Sequence, residues 1–158
     1  MVPIDQLKKI EFLHDLPDNI LDKIAPVARL ENFEAGAVLI NQNKEQQTIY
    51  MLTTGKIFLN SISPLTAKVL TLEYIMPGQS FGLSTLLGKA NSTFTAVCQE
   101  PCEVITLSGN EMNQLFLSDF TVGYAVMLRV AGILKDRMKK HTTNFIQSLS
   151  THPAIRGI

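Results

Sequence analysis

The sequence predicts a mainly β fold with flanking helices: a barrel or sandwich of short strands, preceded by two short helices and followed by one long one. Three observations carry this prediction. Between residues 29 and 107, short β-rich runs alternate with Gly, Pro and Asn turns, the pattern of an all-β sandwich or barrel. No helical period of useful length interrupts them, which argues against alternating parallel α/β architecture. From residue 119 onward the apolar period changes to a heptad.

The elements follow in order. Ile4, Leu7, Ile10 and Leu13 recur at spacing 3 and predict a short amphipathic helix over residues 3–13. Pro17 breaks it, and Asp18 is placed to cap a second helix whose buried side is Ile20, Leu21, Ile24 and Val27, ending at Pro26. Strands are expected near 29–33, 37–40, 47–52, 56–62, 67–75, 93–98 and 102–107. Turns fall at 34–36, 41–43, 54–55, 63–64, 77–78 and 100–101. Residues 81–88 read instead as one helical turn between Gly82 and Gly88, whose leading amides form a natural anion pocket. Ser108 and Glu111 cap a helix reaching about residue 116.

Asp119 opens the long helix. Phe120, Tyr124, Met127, Ala131, Leu134 and Met138 fall at spacings 4, 3, 4, 3 and 4, and the register extends to His141 and Phe145. The stripe is longer than packing on one small barrel requires, so a homodimer through residues 120–145 is expected. The divisions are residues 1–118 for the barrel with its N-terminal helices, 119–149 for the dimerisation helix and 150–158 for a fraying tail.

Composition bounds the function. The chain has 158 residues, 46% hydrophobic and 18% charged, which supports a true core with some apolar surface covered by a partner. Its 14 basic and 14 acidic residues cancel, so it lacks the surplus of a nucleic-acid binder. The run from Lys135 to His141 alone is locally basic, and it reads as a solvated helix face. Cys98 and Cys102 are too few for a secreted disulfide scaffold and read as small thiols in a reducing compartment. The N-terminus is polar, and the most apolar stretch, 124–134, is short and interrupted by Arg129. No signal peptide, no membrane span and a cytoplasmic location are expected. No nucleophile elbow, P-loop or zincin motif is present, so no enzymatic activity is expected.

Four motifs in order carry a resemblance. Phe33-Glu34-Ala35-Gly36-Ala37-Val38-Leu39 resembles an early Phe-x-x-Gly-x-x-Leu corner. Ile49 to Ile57 resembles an aromatic-to-glycine hairpin. Met76-Pro77-Gly78-Gln79-Ser80-Phe81-Gly82 resembles a Gly-x-x-Phe-Gly approach to a phosphate-binding cassette, and Glu100-Pro101-Cys102-Glu103-Val104 a late hairpin. Over about residues 10–145 the chain resembles the effector half of the catabolite-activator and fumarate-nitrate-regulator superfamily, the cyclic-nucleotide-binding domain. The resemblance implies a double-stranded β-helix (jelly-roll) barrel, a regulatory role and a small-molecule effector. Only a short tail follows Phe145, so no direct DNA binding in the family's manner is expected.

The family anchors a cyclic phosphate with a glutamate after Phe-Gly and an arginine before the next strand. Those positions here are Leu83 and, counting back from Glu100-Pro101, Ser92. Each charge-assisted contact is worth about 1.5–3 kcal/mol, so losing both weakens binding roughly 100- to 10,000-fold. Weak or no binding of cyclic AMP or cyclic GMP is therefore expected. Lys89 is nearby, but a solvated loop lysine is its commoner fate. What remains is a neutral pocket: amides of Gly82, Leu83 and Ser84, hydroxyls of Ser84, Ser92 and Thr93, and, from alignment of the long helix, His141 and Thr142 over the base. His141 is able to sense pH, bind a ligand or fill a polar coiled-coil position. No metal cluster has ligand spacing and no cofactor is expected. The alternatives are a non-sensing scaffold that binds another protein, or a haem or other small-molecule sensor using His141 or a methionine.

Overall fold

A computed structural model describes residues 1–154. Eight strands make two antiparallel four-stranded sheets: β1 (Ala28–Phe33), β2 (Val38–Ile40), β3 (Thr48–Thr54), β4 (Ile57–Ile62), β5 (Val69–Ile75), β6 (Ser80–Phe81), β7 (Thr95–Cys98) and β8 (Cys102–Ser108). One sheet has the order β1-β8-β3-β6 and the other β2-β7-β4-β5, so consecutive strands repeatedly cross between sheets, as in a jelly roll. The seven expected strands are all present within a few residues. The pair Ser80–Phe81 adds an eighth, too short to have a period of its own, held by pairing of Tyr50 with Phe81 and Met51 with Ser80.

The first sheet is covered on both faces, and alternation along its strands sorts the side chains. Leu52, Phe81, Cys102 and Val104 meet Ile40, Ile57, Leu59, Ile75, Ala96 and Cys98 of the second sheet in the barrel interior. Ile49, Met51, Ile105 and Leu107 face the opposite way, toward the helices. β5 is an edge strand of the second sheet, and most of it is exposed.

Among the described residues four α-helices flank the barrel: α1 (Ile4–Leu7), α2 (Asp18–Ile24), α3 (Gly109–Ser118) and α4 (Phe120–Thr151). The expected helix over 3–13 is regular only in α1. Beyond it, Ile10 N–H bonds Leu7 O, Leu13 N–H bonds Ile10 O and Leu16 N–H bonds Leu13 O, each at 3.0 Å. A spacing of 3 is the period of such i to i+3 turns rather than of an α-helix, and Leu7, Ile10 and Leu13 are buried by it. Asp18 is not a cap. Pro17 holds that position, Asp18 is the first helical residue, and its carboxylate pairs with Lys8 at 2.7 Å.

Two later caps hold. The Ser108 hydroxyl accepts from Glu111 N–H, and the Asp119 carboxylate accepts from Thr121 and Val122 N–H. The Glu111 carboxylate does not complete a reciprocal capping box; it takes both Arg29 Nη atoms, at 2.9 and 3.1 Å, tying α3 to β1. α4 runs 32 residues, through Thr151 and so past the expected fraying point at 150; residues 155–158 of that tail lie outside the described residues.

α4 has two apolar faces. Val122, Val126 and Val130 pack on the chain's own core. Much of the heptad stripe is exposed, with Phe120 76% exposed, Tyr124 72% and Phe145 63%, while its Met127 and Leu134 are partly buried against the same core. Among the described residues no helix is long and apolar enough to cross a membrane.

Candidate functional site

The cassette forms where β6 ends. Gly82 adopts φ +79°, a 3-10 helix follows over Leu83–Leu87, and Gly88 leaves at φ +123°. The expected turn between two glycines is therefore present. Its side is clasped by the loop before β3. Thr85 Oγ1 donates to Gln46 O at 3.0 Å, Asn43 N–H to Ser92 O at 2.7 Å and Ser92 N–H to Lys44 O at 2.8 Å. The Gln46 side-chain amide donates to Thr48 O.

Gly82 is required here for two reasons. Its φ lies in the left-handed region, and a Cβ at this position would stand 2.6 Å from Thr48 O. Gly82→Ala is expected to cost about 2–3 kcal/mol. Gly36 has φ +88° but nothing within 4 Å of its built Cβ, so Gly36→Ala should cost only the backbone share, about 1 kcal/mol. Urea midpoints of the two variants check this ordering.

The expected site residues differ in their surroundings. Leu83 is 2% exposed and packs in the cluster that joins the barrel to the helices, with Ile49, Met51, Val126 and Val130. Ser84 and Thr93 are exposed. Ser92 is nearly buried, and its hydroxyl is used within its own turn, donating to Phe94 O at 2.7 Å and accepting from Phe94 N–H at 3.2 Å. His141 and Thr142 line a shallow concavity on α4 with Arg137, Met138 and Phe145. His141 Nε2 is 4.0 Å from Glu73 Oε2 on β5.

The barrel interior is filled. Phe81 is fully buried and stacks on Tyr50 with ring centroids 5.1 Å apart and planes 11° apart. Tyr50 Oη donates to Leu39 O at 3.0 Å, and burial pushes its phenol above the ordinary value, so it remains a donor. Cys98 and Cys102 are buried free thiols. The Cys98 thiol is pushed up to about 12, first by burial and then by the Cys102 thiol beside it, which disfavours its thiolate. Among the described residues no three His, Cys, Asp or Glu side chains gather to hold a metal.

Arg137 is a residue the sequence reading missed. It lies in the basic run read as a solvated face, yet its guanidinium donates to Ser80 O, next to the cassette, and stands 3.9 Å from Glu11 Oε1. Burial raises the Glu11 carboxyl pKa, Arg137 opposes this, and Glu73 and Asp136 add to the rise. The Ser80 hydroxyl itself is buried without a partner. No local pattern marks Arg137, because Ser80 on β6 is 57 residues away and Glu11, before α2, is farther still.

A jelly roll with a glycine-framed 3-10 cassette and a long C-terminal helix defines a regulatory effector domain of the cyclic-nucleotide-binding kind. Residues 30–119 match the family model of the cyclic nucleotide-binding domain, and the chain belongs to that family. It is similar to the catabolite activator protein of Thermus thermophilus, with a TM-score of 0.75 and 21% identity, covering 89% of this chain and 64% of that one. The N-terminal domain of a transcriptional regulator from Streptomyces coelicolor A3(2) matches with a TM-score of 0.72 and 18% identity, over 87% of this chain and 95% of that one. The sensor domain of the regulator DNR from Pseudomonas aeruginosa matches with a TM-score of 0.67 and 17% identity, over 85% and 90% respectively. Among curated proteins, a cGMP-dependent protein kinase of Drosophila melanogaster is 24% identical over 114 residues, 71% of this chain but 15% of that kinase. The one from Caenorhabditis briggsae is 22% identical over 136 residues, 84% of this chain and 18% of that kinase. The chain thus spans less than a fifth of the curated relatives it matches.

Proposed function

We propose that this chain is a non-catalytic cytoplasmic regulatory module that has lost high-affinity capture of cyclic AMP and cyclic GMP and signals through a dimer of α4. The observation that carries the reading is Leu83. Where the family pattern has an acid for the ribose, this chain has an apolar side chain that is part of the core. A carboxylate is thus missing, and the side chain at that point is committed to packing. Ser92, at the arginine position, is neutral and self-bonded. The filled interior between Tyr50 and Phe81 supports the same reading. The unpartnered stripe on α4 supports the dimer, and the Arg137 bond to Ser80 O gives cassette and helix a mechanical connection.

Ligand-dependent melting tests this. A site of micromolar affinity at ~1 mM ligand stabilises its protein by about 4.1 kcal/mol, or ~10 °C for a chain of this size. Here cyclic AMP and cyclic GMP are expected to move the melting temperature by less than ~1 °C. A shift of several degrees, with matching heat in calorimetry, would overturn the loss of binding. The filled barrel also suits a second reading, a scaffold whose only partners are proteins. Silence across a wider panel of cyclic mono- and dinucleotides favours that reading, and a response to one of them favours a sensor with changed specificity.

A further inference from the structure

Away from the cassette, the N-terminal segment leans on the end of β3 and encloses a cavity of about 270 Å³. None of Leu83, Ser84, Ser92, Thr93, His141 or Thr142 lines it. A close backbone approach shapes one side. Gly78 O, in the turn before β6, accepts from Glu11 N–H at 2.8 Å, and a Cβ on Gly78 would lie 3.1 Å from Lys9 O. On the other side β3 bulges. Leu52 opposes Val104 and Thr54 opposes Glu103, so Thr53 is the extra residue. A bulge re-aims a side chain, and Thr53 Oγ1 stands 2.8 Å from both Glu103 O and Glu103 Oε1. The hydroxyl thereby fixes the Glu103 carboxylate in the wall.

Two opposite charges line this one cavity, Lys9 and Glu103. They pair neither with each other nor with any other charged side chain among the described residues. Gln6 lines it too, and its Oε1 is buried without a hydrogen-bond partner. A buried acceptor without a donor is costly, and a ligand N–H would supply the donor. The volume lies at the small end for ligand pockets, which run to about 300–1,000 Å³, so a compact metabolite suits it better than a nucleotide. We propose that the cavity binds a free α-amino acid. The ligand's ammonium meets Glu103, with Gln6 as a second acceptor. Its carboxylate meets Lys9 and the Thr54 hydroxyl, and its side chain lies against Ile10 and Pro77. The proposal goes beyond the reading of the cassette and does not depend on it.

Thermal melting of the full chain with the standard α-amino acids, one at a time at ~10 mM, tests this. At least one is expected to raise the melting temperature by about 5 °C at a concentration near 100 times its dissociation constant, with matching heat in calorimetry. Glu103→Gln keeps the side chain's size and an acceptor for Thr53. Lys9→Met alters an exposed residue. Each should weaken that ligand at least about tenfold. Lys44→Met, an exposed lysine outside the cavity, is the control and should change nothing. The ligand's carboxamide, which has no charge for Lys9, should bind wild type at least about tenfold more weakly than the acid does. It should also bind Lys9→Met no worse than wild type. No response to any amino acid overturns the proposal, as does a ligand held equally by both variants and the control. A carboxamide bound as tightly as the acid overturns it as well, because the cavity would then recognise an amine alone. None of these results bears on cyclic AMP or cyclic GMP, whose own melts decide the cassette.

Discussion

Phe81→Ala is expected to lower stability by about 3–5 kcal/mol, with a fall in melting temperature of ~10 °C or more. Phe81 is a member of the two-residue strand β6, is fully buried and stacks on Tyr50 between the two sheets. Truncation removes the ring's transfer free energy and leaves a cavity that close-packed sheets cannot collapse. It also takes from Tyr50 the face on which it stacks, while Tyr50 stays tethered through its hydroxyl to Leu39 O. Two-state urea or thermal unfolding measures the loss. A variant melting within ~2 °C of wild type would mean that the interior is open rather than filled. The reading of the barrel as a closed core, and with it part of the case against a nucleotide site, would then fail.

Leu83→Glu restores the residue type that the family uses at this position, and is expected to damage the fold without restoring binding. The side chain is buried in the cluster that also holds Ile49, Met51, Val126 and Val130. A carboxylate there loses the leucine's burial and is desolvated among apolar side chains. A cost of at least ~4 kcal/mol near pH 8 is expected. Burial favours the neutral acid, so the new group's pKa in the folded state lies above its unfolded value of about 4.3. With a raised folded pKa, the native state binds the proton more tightly. The deficit is therefore smallest below about pH 4.3 and grows as pH rises through the folded pKa. The relevant measurements are unfolding free energy at several pH values and calorimetry with cyclic AMP. A stable variant that gains nucleotide affinity would show that residue 83 reaches a ligand, and would make the cassette a site with one missing charge rather than a piece of core.

Much of the fold was legible in the sequence because its signals are local. Ser108 and Asp119 announce the helices they cap, and alternating apolar residues announce seven strands. The turn signal at residues 77–78 and the glycines Gly82 and Gly88 announce the cassette. The errors came where a local signal has two meanings. A spacing of 3 fits one face of a helix and also a series of i to i+3 turns, and the bonds linking Leu7, Ile10, Leu13 and Leu16 take the second form. A carboxylate three residues after a capping serine fits a capping box, but Glu111 finds Arg29, 82 residues away in sequence, a stronger charged partner.

The candidate site was less legible for the same reason at longer range. Alignment placed Leu83, Ser92 and His141 at ligand positions, and the glycine framing was correct, but a position in an alignment does not say what a side chain packs against. The sequence by itself determined the strands, the cassette turn and a helix with more apolar surface than one barrel can cover, because backbone preference and side-chain period are properties of neighbouring residues. Only the tertiary structure decided that Leu83 belongs to the core and that Arg137 reaches Ser80 O. Each of these depends on how α4 lies against two sheets assembled from distant segments, and burial and hydrogen-bond partners are set by that assembly rather than by the order of residues along any one element.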